Sequence, residues 1–382
     1  MTGLFNEINL DQSLVKALEK QNISTPTEVQ SRVIPLILQN KDLIVQSETG
    51  TGKTLAYLLP LFQKIDVSKK DMQVIILTPT HELAIQILRQ IELLAENSDF
   101  KVKGTSIIGN VNIARQIDKL KEKPHIIVGS PGRILELIKK RKITAHTVKT
   151  IVLDEADRLL DESNSENVMA VIKSTLRDRQ LMTFSATMSQ KSVARAKEIM
   201  KEPEVIRSES KTAVPTSIEH LYFVGEQREK INVLRRLVRI INPKKALVFV
   251  NGSYEIDVFT TKIKYHGLKA EAIHGTNKKL DRKRVMEEFR TGKIQLLIAS
   301  DIAARGLDVE GVTHVFNLSL PEDPMDYLHR VGRTGRAGNA GVAVSIVTER
   351  EIPLLKKYEN SLKISILQKD TYKDSIVDVK RR

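Results

Sequence analysis

The chain of 382 residues contains no cysteine and no tryptophan, and aromatic residues make up only 4% of it. Without cysteine there can be no disulfide and no thiolate metal site. So few aromatics argue against a protein that grips single strands by stacking their bases, which needs aromatic platforms. A nucleic-acid partner would instead be held by its sugar-phosphate backbone, with little sequence preference. No uninterrupted apolar run approaches the ~20 residues needed to span a bilayer. The opening stretch MTGLFNEINLDQSLVKALEK lacks a basic leader followed by an apolar segment, so no secretory signal is expected. A cytoplasmic protein without a membrane partner is the expectation.

What the chain holds in excess is positive charge, 61 Lys+Arg against 47 Asp+Glu, a formal +14. That surplus suits a polyanionic partner, most simply nucleic acid, and suits a merely basic enzyme equally well. The length exceeds one ordinary core, so two domains are expected.

Residues 47–54 carry the clearest local signal. Ser47-Glu48-Thr49-Gly50-Thr51-Gly52-Lys53-Thr54 lies between the short apolar run 42–46 and the helix-like start Leu55–Leu59. A Gly-rich turn from strand to helix aims unpaired amides and a helix dipole at one spot, which favours phosphate. Lys53 is placed to reach the outer phosphates, and the Thr54 hydroxyl to ligate Mg2+. The generic pattern opens on Gly where this chain has Ser47.

Short apolar runs then alternate with amphipathic stretches. Strands are expected at Val74–Leu77, Thr105–Ile108, His125–Val128, Thr150–Leu153 and Met182–Phe184. The rhythm lapses over 208–217 (SESKTAVPTS) and resumes at Leu221–Val224, Ala246–Val250, Ile294–Ala299, His314–Leu318 and Ala343–Val347. This predicts two α/β domains, each a mostly parallel sheet with helices on both faces. Their expected bounds are 1–207 and 218–367, with a linker at 208–217 and a basic tail at 368–382.

Ligands of such sheets bind beyond the carboxyl ends of the strands. There the chain places Pro79-Thr80-His81-Glu82, Ser130-Pro131-Gly132-Arg133, Asp154-Glu155-Ala156-Asp157 and Ser185-Ala186-Thr187. Downstream of a phosphate loop, Asp154 suits Mg2+ held through water, and Glu155 suits taking a proton from the attacking water or orienting it. In isolation, acids opening a helix would look the same; together with residues 47–54 they read as a nucleoside triphosphatase site. Asp161–Glu166 is read as a solvated loop. In the second half, residues 300–308 follow a strand, and His329–Arg336 packs three arginines into eight residues. Arginine forks suit phosphate, and one supplied across a cleft can neutralise charge in phosphoryl transfer.

With Asp-Glu-Ala-Asp, Ser-Ala-Thr and His-Arg-x-Gly-Arg-x-x-Arg in this order, the chain resembles the DEAD-box ATP-dependent RNA helicases, from Phe5 to about Lys363. The resemblance implies two tandem RecA-like domains that close on ATP and single-stranded RNA, in a compact form without an appended RNA-binding domain. It implies that Gln30, in Pro26–Gln30, reads adenine with Phe5 as the upstream aromatic, that residues 47–54 hold the triphosphate, and that Asp308 contacts the ribose. Asp157, Ser185, Ala186 and Thr187 would couple hydrolysis to closure, together with His329, and Arg333 and Arg336 would be the arginine fingers. The RNA backbone would meet Pro79, Thr80, His81, Glu82, Gly109, Ser130, Pro131, Gly132, Arg133, Gly275, Lys279, Arg282 and Ser300. The chain departs from the family at His81 (usually Arg), Asn110 (usually Gly) and Lys279 (usually Gln), and more mildly at Asn22 and Ser47.

The implied activity is ATP-driven, local and non-processive separation of RNA strands or remodelling of RNA–protein complexes by a monomer, with ATP and Mg2+ as cofactors. The compact form is most like bacterial members serving ribosome assembly or RNA turnover, with proteins of those processes as partners. An ATP-dependent RNA clamp would need the same motifs. A DNA-directed helicase fits the DEAD tetrapeptide and the Gln30 stretch less well, and a small-molecule kinase leaves the second-half arginines without a role.

Overall fold

The computed structural model describes all residues except 1–4, 48–49, 110, 162–164, 189, 208–216, 252, 274–278, 305–308, 310, 336–338 and 380–382. For 253–255, 279–280, 283, 302 and 304 it describes the backbone alone. The chain divides into two units, Met1–Glu209 and Ser210–Arg382.

The first unit is built on β1 (Leu43–Gln46), β2 (Val74–Leu77), β3 (Gly104–Ile107), β4 (Ile126–Gly129), β5 (Thr150–Asp154), β6 (Gln180–Ser185) and β7 (Glu204–Arg207). All pair in parallel, in the order β3-β4-β2-β5-β6-β1-β7. The central strands are near-continuous apolar runs because both faces are covered. Val45, Ile76, Val128, Val152 and Phe184 pack into one core layer with the helices Glu28–Leu38, Lys53–Lys64 and His81–Asn97. Ile44, Ile75, Ile127, Ile151 and Leu153 turn to the other layer, against the helices Pro131–Lys139 and Ser165–Lys173. Register aligns Ile107, Gly129, Leu77, Leu153 and Thr183 in one row, so the loops that follow leave from a single edge.

The second unit contains β8 (Ile218–Val224), β9 (Ala246–Phe249), β10 (Ala270–Ile273), β11 (Leu296–Ala299), β12 (His314–Asn317), β13 (Gly341–Val347), β14 (Leu367–Tyr372) and β15 (Ser375–Asp378). The order is β10-β11-β9-β12-β13-β8-β14-β15, parallel throughout except for the β14–β15 hairpin. Each expected strand is present, with ends shifted by up to three residues. The exposed strand β7, with charged ends, and the edge strand β10, two small residues and an isoleucine interrupted by Glu271, which pairs with Lys264, were not anticipated.

The segment from 368, expected as a basic tail, differs. It continues β14 and returns as β15, with Lys373 in the left-handed region (φ 51°) at the turn. Ile376 packs against the core, Arg236 donates to Thr371 Oγ1 (3.0 Å) and the Tyr222 hydroxyl to Gln368 (3.0 Å). Interleaved acids and bases hid this apolar anchor. Ser165 and Glu166, expected within a solvated loop, open the helix Ser165–Lys173, where Val168, Val171 and Ile172 are buried.

Candidate active site

The turn from β1 into the helix Lys53–Lys64 has Gly50 and Gly52 both at φ 84°, a region costly for other residues. At Gly52 the restriction is also spatial, since a Cβ would lie 2.4 Å from Gln30 Nε2. The turn is closed from inside. Lys53 Nζ donates to the Ser47 carbonyl (2.5 Å), the Ser47 and Thr51 hydroxyls share a hydrogen bond (2.8 Å), and Ser47 N donates to Ser185 O (3.0 Å). Ser47 thus supplies a hydroxyl that the generic Gly would lack. Glu48 and Thr49 lie outside the described residues.

Gln30 is buried against this turn. Thr27 caps the helix Glu28–Leu38 and its hydroxyl donates to Thr51 O (2.7 Å). Gln30 Oε1 accepts from Thr27 N (2.9 Å), while Nε2 donates to Gly52 O (3.1 Å). Phe5, expected beside the base, is only 2% exposed and packs in the first core layer, so its ring is not an open stacking platform.

Asp154 ends β5, two strands from β1. Its Oδ1 accepts from Glu155 N (2.9 Å) and its Oδ2 from the Tyr57 hydroxyl (2.8 Å). Burial pushes the Asp154 carboxyl up to about 6, against the opposing effects of the Tyr57 hydrogen bond and the Lys53 charge. Tyr57 is fully buried and its phenol is held well above its ordinary value, first by burial and then by the Asp154 charge, with the neighbouring Thr54 side chain acting in the opposite direction. Tyr57 therefore holds Asp154 from one turn beyond Thr54; Asp154 and Thr54 are the two residues read as metal ligands. Sequence reading missed it because Leu-Ala-Tyr-Leu-Leu looks like plain core helix; its spacing of three from Thr54, which puts both on one helix face, was the available signal.

Glu155 stands at φ 53°, a left-handed position uncommon for such a residue. Among the described residues its buried Oε2 has no hydrogen-bond donor; Arg158 lies 3.9 Å away, too far for a hydrogen bond. Strain and an unsatisfied acceptor coinciding on one residue mark a functional position. One turn on, Asp157 receives the Ser185 hydroxyl on Oδ1 (2.6 Å) and the Thr187 hydroxyl on Oδ2 (3.1 Å), and Thr187 N donates to Ser185 Oγ (3.3 Å). The ends of β5 and β6 are thereby tied together; Ala186 lies between them with a half-buried side chain.

The residues expected to meet RNA leave the carboxyl ends of β2, β3 and β4, which are neighbours. Pro79 precedes Thr80, which caps the helix His81–Asn97 and accepts from Leu83 N (3.3 Å). His81 lies against Gly109, its Nε2 3.3 Å from where a Cβ there would sit. Ser130 and Pro131 start the helix Pro131–Lys139, with Gly132 exposed; Arg133 donates to Val111 O (3.3 Å) and pairs with Glu136 (3.1 Å). Asn110 lies outside the described residues.

In the second unit, Arg282 donates to Ala303 O (2.9 Å), and Ser300 Oγ accepts from Ala303 N (3.3 Å), bringing both to the carboxyl end of β11. Gly275, Asp308, Arg336 and the Lys279 side chain lie outside the description. His329 is on the helix Pro324–Val331, and Arg333 follows it with its N–H on Arg330 O (3.1 Å). Arg330, not singled out from sequence, is 2% exposed. It clamps Asp301 with two bonds (2.5 and 2.7 Å), reaches Asn317 (3.3 Å), Asn251 (3.3 Å) and Ser319 O, and lies over the Phe249 ring (4.9 Å).

A Gly-rich turn after β1 and an acid pair at the end of β5, followed by a second parallel sheet, give the arrangement of tandem RecA-like nucleoside triphosphatases. Two family models match: DEAD/DEAH box helicase over residues 27–196 and helicase conserved C-terminal domain over 229–338. The chain is 44% identical over 370 residues to the DEAD-box ATP-dependent RNA helicase CshC of Bacillus cereus, covering 96% of this chain and 93% of that protein. It is 42% identical over 341 residues to the probable ATP-dependent RNA helicase YfmL of Bacillus subtilis, covering 89% and 90%. Among solved structures, S. cerevisiae Dbp5 bound to RNA and ADP BeF3 superposes with a TM-score of 0.88 at 29% identity, covering 95% of each chain. The chain belongs to the DEAD-box family of ATP-dependent RNA helicases, and with that membership goes the class of an RNA-stimulated ATPase.

Proposed function

We propose that this chain couples ATP hydrolysis to local, non-processive RNA strand separation or RNA–protein remodelling. The observation that carries the catalytic half is Glu155 Oε2, a buried acceptor with no donor among the described residues, fixed beside Asp154 by a strained backbone. A water delivered there would give its proton to Glu155 as its oxygen bonds to the terminal phosphorus, and ADP leaves with the bridging oxygen's electron pair. Lys53, now on the Ser47 carbonyl, would turn to the phosphates. Gln30 keeps one N–H and one oxygen lone pair for a base edge. Arg333 and Arg336 would neutralise charge on the transferring phosphoryl group.

The residues present suit Mg2+. Thr54 and Asp154 offer hard oxygen donors, the second held by the Tyr57 hydroxyl. Among the described residues no three His, Asp or Glu cluster into a metal cage, and a cation held mainly by phosphates and water does not require one. Bound there, Mg2+ supplies neutralisation of phosphate charge. By donating to Asp154 Oδ2 from one turn beyond Thr54 on the same helix face, Tyr57 would hold the Asp154 carboxylate in position for the cation. Tyr57→Phe is expected to raise the Mg2+ concentration for half-maximal nucleotide binding about tenfold, the range for residues that orient ligands. Fluorescent-ADP binding titrated with Mg2+ measures it; an unchanged requirement removes Tyr57 from that role.

The decisive test of the function is ATPase rate with and without single-stranded RNA, matched DNA serving as control. Strong stimulation by RNA alone is expected. Equal stimulation by DNA would point to the wider helicase superfamily, and ATP-dependent retention of RNA without unwinding would favour the clamp. Ribosome assembly or RNA turnover is the setting proposed for that activity.

A further inference from the structure

The chain's positive charge is not where its chemistry is. Across the loops at the carboxyl edge of the first sheet (47–54, 78–82, 108–112, 130–133 and 154–158), three Lys and Arg face five Asp and Glu. At the amino edge the balance reverses. Over 66–73, 99–103, 118–125 and 139–149, Lys and Arg number twelve and Asp and Glu five, a surplus equal to half of the chain's +14. All twelve are exposed.

These four segments feed β2, β3, β4 and β5, which are neighbours in the sheet. Their last residues form one row. His125 N donates to Lys103 O (2.9 Å), Gln73 N to His125 O (2.9 Å) and Lys149 N to Gln73 O (2.8 Å). At ~4.8 Å per strand the row spans about 14 Å. Beside it stand Lys-Leu-Lys-Glu-Lys (119–123) and Lys-Lys-Arg-Lys (139–142), at the ends of the helices Ile113–Lys121 and Pro131–Lys139. Lys69, Lys121, Lys140 and Lys149 are paired with acids. Lys123, Arg141 and Lys142 make no ion pair among the described residues.

Lysines at helix C-termini offset the macrodipole, at roughly half a charge per helix end. Four helices lead into these segments, ending at Lys64, Asn97, Lys121 and Lys139. Dipoles therefore take up about two of the seven surplus charges. The rest is a basic face separated from the phosphate loop by the length of the sheet, about 13 Å for four-residue strands.

We propose that this amino edge is a second RNA-binding surface, which takes the phosphate backbone of a double-stranded or folded segment beyond the strand held at the catalytic edge. The proposal rests on the RNA-helicase reading above. Flexible lysines along a flat edge make sequence-independent phosphate contacts. Of the large apolar side chains in these segments only Val67 is exposed, which leaves no platform for stacking bases or entering a bilayer.

The test compares the parent chain with K123E/R141E/K142E, using two RNAs: a short single strand, and the same strand continued into a hairpin. Without nucleotide hydrolysis, the variant is expected to bind the hairpin-bearing RNA about tenfold more weakly or worse, with the slope of log K against log salt reduced by about 2 to 3. Its affinity for the short strand, and the ATPase rate that strand stimulates, stay as in the parent; thermal melting confirms the fold. A parent that binds both RNAs equally well, or a variant that loses neither or both equally, overturns the proposal. Loss of binding to anionic phospholipid vesicles with hairpin binding intact overturns it in favour of a membrane surface. A parent that neither binds nor is stimulated by the short strand refutes the helicase reading instead.

Discussion

Replacing Arg333 by alanine is expected to leave nucleotide affinity nearly intact while slowing RNA-stimulated turnover by about 10³-fold or more, the range of arginine fingers. The residue follows the helix Pro324–Val331, its side chain half-buried and its backbone fixed by the bond to Arg330 O. The first unit's loop supplies Lys53 as its cation and holds Asp154, Glu155 and Asp157 close by, so it is short of positive charge for a phosphoryl group in flight. An arginine acting only in the transition state changes kcat and leaves ground-state binding alone. Arg333→Lys keeps the charge without the planar fork and should recover little. The measurement pairs ATPase kcat at saturating single-stranded RNA with fluorescent-nucleotide affinity. Turnover near that of the parent would exclude the finger role, and a parallel loss of affinity would make Arg333 an ordinary binding residue.

Three positions earlier the same substitution strategy should give a different phenotype. Arg330→Met keeps much of the volume but leaves Asp301, Asn317, Asn251 and the Ser319 carbonyl without their shared partner. Removing one member of a buried ion pair costs about 3–5 kcal/mol, mostly because the other charge stays desolvated. For a unit of this size each kcal/mol is worth about 2–4 °C. Melting of the second unit should therefore fall by about 10 °C, with nucleotide binding to the first unit preserved. A shift under about 2 °C, smaller than one such kcal/mol, would mean that the cluster rearranges around the gap.

These two arginines mark the boundary of what the sequence reveals. Both sit in one short basic run, and charge pattern alone gives them the same meaning. Only the fold separates them, because Arg330 faces β9, β11 and β12 while Arg333 comes after the helix has ended. The phosphate loop and Asp154-Glu155 were legible because their chemistry is contiguous in the chain. Tyr57 was not, since its partners are 97 residues away at Asp154 and one turn back at Thr54. The charge surplus was legible as a total, but its collection on one edge depends on strand order, which brings four separated segments side by side. The last hairpin escaped for the opposite reason: its pairing is local, but its apolar content is too thin to announce a strand.

The engagement of Gln30 has a consequence for nucleotide choice. With Oε1 already accepting from Thr27 and Nε2 already donating to Gly52, the amide is anchored and cannot flip without breaking both bonds. What is left is one donor and one acceptor in fixed order. Adenine presents a matching amino group and N7, whereas guanine presents two acceptors, so its O6 would meet the Gln30 lone pair. A buried lone-pair clash without compensation is the kind of mismatch that separates ligands by orders of magnitude. On the proposed role of Gln30 at the base, the hydrogen bonds that brace the turn would also set the purine preference, making loop rigidity and base selection a single property of one side chain.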